Sequence, residues 1–332
     1  MRTLSLTLLL FSIVTLPAAP ALDKDEVKMP EAARKATARG LAYLAAKQNS
    51  DGSWSDGRYP HNPAITAFAL LAFLSQGHIP NQGTYGKEIA KGTRFLLSCA
   101  REDGYLIGTR GGNMYSHGMA TLALAELWGV SQDKAIKPAL KKAVDLIVAS
   151  QNKQGGWRYS PRPADADISV TIMQVMAIRA AKNAGIHVKD EVIKKAIQYV
   201  KSCHDQRTGG YSYQPGSAPG FARTAAGVCV LQLTGEYKDS NIPRSVQYLK
   251  DHFNEREHYW YGHYYASHAM HQVGGKDWQE WYEKMNKVFL PIQKPDGAWD
   301  SGDPHGSGPV YQTSIAVIGL SVPMNYLPIF QR

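Results

Sequence analysis

The sequence contains little cysteine. Only three of its 332 residues are cysteines, namely Cys99, Cys203 and Cys229. An exported scaffold held together by disulfides would carry more of them, in an even number. No Cys-x-x-Cys pair and no cysteine–histidine spacing typical of zinc sites occurs. We therefore predict mostly buried free thiols, at most one disulfide bridge, no metal and no other cofactor.

Long apolar runs are also missing, except at the N-terminus. There, Met1-Arg2 precedes the apolar run 4–16, and Ala19-x-Ala21 has the spacing of a signal peptidase site. The run is shorter than the ~20 residues that a membrane-spanning helix needs. We predict that residues 1–21 are a cleaved signal peptide and that residues 22–332 are exported to the periplasm or the medium, without a membrane span. An uncleaved anchor and a buried terminal helix are the alternatives.

Basic residues are in excess but do not form a nucleic-acid pattern. The formal net charge is +9, from 37 Lys and Arg against 28 Asp and Glu. Many lysines fall in the helical segments 134–142 and 189–201, where a solvated helix face accounts for them. No basic run alternates with aromatic residues that could stack on bases. We expect no nucleic-acid partner, whereas an acidic polysaccharide stays compatible with the charge.

What the sequence does contain is a repeated turn, Gln-x-x-x-Gly-x-Trp. Full copies span 48–54, 151–157 and 293–299, weaker copies start at 99 and 203, and a degenerate copy spans 254–260. The six copies begin 51, 52, 52, 51 and 39 residues apart. Such a regular spacing indicates a structural repeat of ~50 residues, with a short fifth unit.

Each copy lies between two helical patterns. The preceding segment is amphipathic, as in 33–48, 136–151 and 192–203. The following segment is apolar on nearly all faces, which indicates burial on all faces. These inner segments are 64–75, 116–128, 169–184, 222–233, 261–273 and 310–320. The sequence therefore predicts an all-α fold of about six helical hairpins that stack side by side, because no hairpin buries its apolar faces alone.

The turn, together with inner segments such as Thr66-Ala-Phe-Ala-Leu70, resembles the terpenoid cyclase and protein prenyltransferase superfamily. The stretch 291–311 is most similar to squalene–hopene cyclases. The resemblance spans about 33–330 and implies one α/α toroid (an α6/α6-type barrel) over 22–332, with a C-terminal strap, 323–332, across its bottom. Because this fold carries many functions, the resemblance indicates the fold more strongly than the activity.

The catalytic motifs of that superfamily are incomplete. The resemblance places a cyclase's Asp-x-Asp-Asp acid at 165–168, but Ile168 stands where the last aspartate belongs. The zinc ligands of the prenyltransferases correspond to 261–263 and 312–313, which read Tyr-Gly-His and Gln-Thr. No Gly-Cys-Gly-Glu-Gln thioester run occurs. These departures argue against each of the three chemistries.

The starts of the inner helices are nevertheless rich in polar and aromatic residues, and the resemblance implies that they face a central cavity. We predict a ligand cavity formed by Tyr115, His117, Asp167, Ser169, Arg223, Tyr261, His263, Tyr264, His268, Tyr311 and Gln312. Within it, the candidate catalytic residues are Tyr261, His263, Asp167, His117 and Arg223. Packing inside a filled barrel is the alternative role for each of them.

Three functions fit this pattern. The leading hypothesis is a noncatalytic binding or scaffold protein that takes a small apolar ligand or a polysaccharide. The second is an exported polysaccharide lyase, in which arginine would neutralise a carboxylate while tyrosine or histidine moves a proton. The third is a divergent terpenoid cyclase or prenyltransferase. The sequence does not define the oligomeric state.

Overall fold

A computed structural model describes residues 27–108, 111–302 and 308–331, so the predicted signal peptide lies outside the described residues. These parts of the chain contain twelve α-helices. They are α1 Glu31–Ala46, α2 Pro63–Ser75, α3 Gly86–Ser98, α4 Met114–Ser131, α5 Ile136–Ala149, α6 Ile168–Asn183, α7 Asp190–Ser202, α8 Phe221–Leu233, α9 Ile242–Asp251, α10 Tyr259–Val273, α11 Gly275–Phe289 and α12 Pro309–Ser321. Short 3₁₀ helices span Leu290–Ile292, Val322–Met324 and Pro328–Phe330.

The helices form a closed ring of six hairpins. The even-numbered helices are the inner ones; each packs against the next, and α12 packs against α2. Every residue of α2 is buried, as an all-round apolar sequence predicts. The odd-numbered outer helices bury one face only. The α/α toroid is therefore confirmed, and although α9 has only 10 residues, α10 still packs against α8 and α12.

The repeated turns join each hairpin to the next. The side-chain amide of Gln151 donates to the Gly155 carbonyl and to the Val192 carbonyl on α7, each at 2.8 Å. The Trp157 indole N–H donates to the carbonyl of Ile147, ten residues earlier, at 2.7 Å. In the last turn, Gln293 donates to the Ala36 carbonyl on α1 at 2.8 Å. The sixth turn therefore closes the ring onto the first helix.

The end of the chain covers one opening of the barrel. Phe330 is buried and stacks on His268, with ring centroids 3.3 Å apart. Its carbonyl accepts a hydrogen bond from the side chain of Gln272. We expected Phe330 and Tyr326 to anchor this strap, but Tyr326 is 51% exposed, so Phe330 is the anchor.

The three cysteines are free and buried, as expected. Among the described residues, no helix combines the length and the apolarity that crossing a bilayer requires.

Candidate functional site

A cavity of about 280 Å³ lies where the N-terminal ends of α2, α4, α10 and α12 meet. We call it the tyrosine pocket because five tyrosines line it. Two of them, Tyr59 and Tyr159, come from loops and are 42% and 44% exposed at its rim. Its described lining consists of Asp56, Tyr59, Asn62, Ala64, Ile65, Phe68, Asn113, Tyr115, Ser116, Tyr159, His258, Tyr261 and Tyr311.

Two asparagines are fixed in the pocket wall by helix capping. The side-chain oxygen of Asn62 accepts hydrogen bonds from the backbone N–H groups of Ala64 and Ile65, at 2.8 and 3.2 Å. Asn113 caps α4 in the same way, through Tyr115 and Ser116. Because each oxygen is used in a cap, the amide N–H groups are the part of each side chain available to a ligand.

Asp56 places a carboxylate in the wall where the first and last hairpins meet. Its side chain accepts a hydrogen bond from the backbone N–H of Tyr311 at 2.7 Å and thereby caps α12. Burial raises the pKa of Asp56, although backbone hydrogen bonds from Tyr311, Val310 and Gly308 act in the opposite direction. Sequence analysis missed this residue because nothing distinguishes it from other acidic turn residues.

We expect Asp56→Ala to lower the free energy of unfolding by about 1 kcal/mol, since α12 loses its capping carboxylate. Urea unfolding followed by circular dichroism measures this loss. Asp145→Ala, at an exposed position on α5 with a surface ion pair, is the matched control and should change little. Equal stability of the two variants would contradict the capping role.

The tyrosines from the inner helices form the deep part of the pocket. The Tyr311 ring packs edge-on against Phe68, with centroids 5.0 Å apart, and Tyr261 packs against Tyr265 at 4.8 Å. Burial raises the pKa of Tyr115 and Tyr261 well above the usual value. These phenols therefore stay protonated near neutral pH, where they can stack and form hydrogen bonds but are poor bases.

Of the eleven predicted cavity residues, Tyr115, Tyr261 and Tyr311 line the tyrosine pocket. The other eight lie outside its lining. They are His117, Asp167, Ser169, Arg223, His263, Tyr264, His268 and Gln312. Each of them is used within the barrel wall or core.

His117 and His263 take structural positions. The backbone N–H of Leu106 donates to Nδ1 of His117 at 3.1 Å, and Nε2 lies 3.1 Å from the Ala143 carbonyl. His263 Nε2 lies 3.1 Å from the Phe253 carbonyl. Burial lowers the pKa of His117 to about 4 and that of His263 to about 3, so both rings are neutral at physiological pH.

In four other units a threonine stands in the place of His117 and accepts a hydrogen bond from a backbone N–H of the turn. Thr66 accepts from the backbone N–H of Trp54 at 2.9 Å, and Thr171 accepts from that of Trp157 at 3.1 Å. Thr224 and Thr313 do the same for the fourth and sixth turns. His117 therefore replaces a threonine that ties a turn to its inner helix, whereas the printed hydrogen bond of His263 goes to the carbonyl of Phe253.

Asp167 and Ser169 stabilise the start of α6. The Asp167 carboxylate accepts from the Val170 backbone N–H at 2.8 Å and from the Ser169 hydroxyl at 2.7 Å. Arg158 Nε lies 3.6 Å away from the same carboxylate. Burial raises the pKa of Asp167, with these hydrogen bonds opposing it. Asp167, the second aspartate of the Asp-x-Asp sequence, is therefore a helix cap outside the pocket.

Arg223 and Gln312 have local partners. The Arg223 guanidinium pairs with Glu257 at 2.8 Å. Gln312 accepts a hydrogen bond from the backbone N–H of Ser301 at 2.9 Å.

Tyr264 and His268 fill the barrel below the pocket. Their rings pack edge to face with centroids 5.2 Å apart, and His268 continues to Phe330. The pocket is therefore a shallow site at one end of a filled barrel. Within the described residues, no group of three or more His, Cys, Asp or Glu side chains is arranged to hold a metal ion.

Comparison with known proteins identifies the family of this chain. The model of the prenyltransferase alpha-alpha toroid domain matches residues 2–251 and 167–290. The chain belongs to this family. It is also similar to a squalene–hopene cyclase from Bradyrhizobium diazoefficiens, with 22% identity over an alignment of 209 residues; the match covers 56% of this chain and 31% of that protein. The match thus spans less than a third of the length of that relative.

Solved structures share the fold of this toroid domain at low identity. An α-1,6-mannanase from Salegentibacter has a TM-score of 0.66 at 7% identity, covering 89% of this chain and 99% of the other. A cellobiose 2-epimerase from Bacillus thermoamylovorans has 0.65 at 11%, covering 88% and 99%. A type II terpene cyclase from Scytonema has 0.57 at 13%, covering 89% and 98%. The fold is therefore common to enzymes that act on sugars and on terpenoids.

Proposed function

We propose that this protein is a noncatalytic binding protein that holds a neutral sugar unit of a glycan in the tyrosine pocket. The observation that carries the proposal is the wall of five tyrosines combined with two capped asparagines. Sugar rings have apolar C–H faces that stack on aromatic rings and hydroxyls that pair with amides. Phe68 and Ile65 add an apolar floor.

The size of the pocket favours a small unit over a long isoprenoid. At about 280 Å³ it lies at the low end of ligand pockets. Below it, Tyr264, Tyr265 and His268 occupy the barrel. Proteins that share this fold include a mannanase and a cellobiose epimerase, which adds support for a sugar as the ligand.

The chemistry of the pocket favours binding over turnover. Glycoside hydrolysis uses a pair of carboxyl groups, and the described lining holds one, Asp56, which caps α12. The lyase hypothesis loses support because Arg223 is paired with Glu257 and His263 is buried elsewhere. The cyclase hypothesis loses support because Asp167 is a helix cap.

The predicted signal peptide supports placing this binding in the periplasm or outside the cell. Glycans are present in those compartments. Because the described pocket lining contains no Lys or Arg, it favours the neutral sugar units of a glycan.

We expect Tyr59→Ala to weaken sugar binding at least tenfold, because the rim loses one stacking ring. Isothermal titration with α-1,6-mannotriose and cellobiose measures the dissociation constants. Tyr237→Ala is the matched control, since Tyr237 is 47% exposed and lies outside the pocket lining. Its binding should equal that of the unaltered protein.

Two results would overturn the proposal. Saturable binding of geranylgeraniol in place of either sugar, abolished by Tyr59→Ala, would assign the pocket to a terpenoid. Release of new reducing ends, or formation of an epimer, during incubation with the sugars would show that the protein is an enzyme.

A further inference from the structure

A second cavity, of about 250 Å³, lies at the opposite ends of α2 and α4 from the tyrosine pocket. We call it the strap cavity because the C-terminal strap forms one wall. Ile65 lines the first cavity and Leu74 the second, so about 14 Å of helix separates them. Its described lining consists of Leu74, Gly77, Ile79, Glu126, Val130, Tyr326, Leu327 and Pro328.

Glu126 is the only acidic or basic residue in the described lining of the strap cavity. Its side chain is almost fully buried, with 3% of the residue exposed. The backbone N–H of Ile329 in the strap donates to the carboxyl group, while Oε2 has no hydrogen-bond partner among the described residues. Leaving a buried polar atom unpaired costs stability, so a partner for Oε2 would stabilise the protein.

The remaining walls are mostly apolar, and so is the mouth. Val130 and Tyr326 are 38% and 51% exposed, which makes them two of the few large apolar side chains at the described surface. An apolar cavity with one buried polar group at its wall has the form of a small-ligand site. Exposed apolar residues around its mouth point to an apolar ligand.

We propose that the strap cavity binds an uncharged aliphatic alcohol, with the alkyl chain against Leu74 and Leu327 and the hydroxyl hydrogen-bonded to Oε2 of Glu126. This site is independent of the sugar site proposed above, because the two cavities share no lining residue.

The charge of the ligand follows from the burial of Glu126. Burial raises the pKa of Glu126 to about 8, so the carboxyl group holds a proton at neutral pH. A hydroxyl can accept from a protonated Oε2 or donate to an ionised one, and it brings no charge into the cavity. A ligand carboxylate would bury an unpaired charge, and an ammonium would require two buried ions.

Isothermal titration of the full chain with 1-octanol, octanoate and octylamine at pH 7 tests the proposal. We expect saturable binding of 1-octanol, at least tenfold tighter than that of either charged probe. Ile79→Trp should fill part of the cavity and weaken 1-octanol binding at least tenfold. Ile292→Trp is the matched control, because Ile292 is 40% exposed and lies outside the cavity lining.

Two further variants test the role of the carboxyl group. Glu126→Leu removes the hydroxyl's partner and should weaken 1-octanol binding about tenfold, whereas Glu126→Gln keeps a hydrogen-bonding group and should retain it. No saturable 1-octanol binding, equal effects of Ile79→Trp and Ile292→Trp, or equal binding of all three probes would each overturn the proposal. Sugar titration of Ile79→Trp separates the two sites, since it should match the unaltered protein.

Discussion

Gly297→Ala is expected to lower the free energy of unfolding by roughly 2 to 5 kcal/mol. Gly297 has φ = +93°, a region where an L-residue is strained by about 1–2 kcal/mol. A Cβ atom there would also overlap the backbone carbonyl of Arg39 on α1, and overpacking of this kind adds about 1–3 kcal/mol. Because this contact joins the sixth turn to the first helix, the substitution acts directly on ring closure. The midpoint of urea unfolding measures the loss.

Gly185→Ala separates backbone strain from the clash. Gly185 has a similar φ of +82°, but the space around its Cβ position is open. The control should therefore lose only the strain of about 1–2 kcal/mol. If both variants lost the same stability, the last turn would accommodate the added methyl group without a clash, which would contradict its close packing on α1.

Two signals in the sequence agree on a stack of helical hairpins, and the family resemblance adds that the stack closes into a toroid. The all-round apolar pattern of segments such as Pro63–Ser75 requires burial on every face, and only stacked hairpins supply it. The ~50-residue spacing of the turns then fixes the number of hairpins. Both signals are local or periodic, so they can be read without knowing any long-range contact.

The candidate site was predicted less completely, and His117 shows why. A histidine at the start of an inner helix suggested a catalytic residue. Alignment of the repeat units on their turns indicates a structural role instead. His117 follows Tyr105 by the same twelve residues by which Thr66 follows Trp54. It therefore occupies the position of a turn-tying threonine, a role that its hydrogen bond to Leu106 confirms.

The residues missed by sequence reasoning come mainly from the irregular loops between a turn and its inner helix. Asp56, Tyr59 and Tyr159 belong to such loops, whose paths follow no period. Asp56 reaches the pocket because it caps a helix more than 250 residues later in the chain, Tyr311 being its partner. Such long-range capping leaves no signal in the local sequence, and only the closed ring brings the two ends together.

The pH dependence of stability is expected to contain a large contribution from Glu126. Its pKa is about 8 in the folded protein, against 4.5 for an exposed glutamate, because burial disfavours the charged form. Between these values the unfolded chain releases a proton that the folded chain keeps. The free energy of unfolding should therefore fall by about 1.4 kcal/mol per pH unit from about pH 4.5 to pH 8 and then stop changing on this account.

Glu126→Gln isolates this contribution, because glutamine does not titrate. The difference in stability between Glu126→Gln and the unaltered protein should grow in favour of the variant by about 4 kcal/mol from pH 5 to pH 8. The nearby Tyr264 does not interfere, since its own pKa lies well above 10 and its hydroxyl stays neutral. Urea unfolding at half-unit pH steps gives the two curves, with Glu102→Gln at an exposed turn position as the control. Parallel curves for Glu126→Gln and the unaltered protein would mean that Glu126 ionises at an ordinary pKa. In that case water would have to solvate the Glu126 carboxylate in the strap cavity, and Glu126 would not contribute to the fall of the free energy of unfolding with pH.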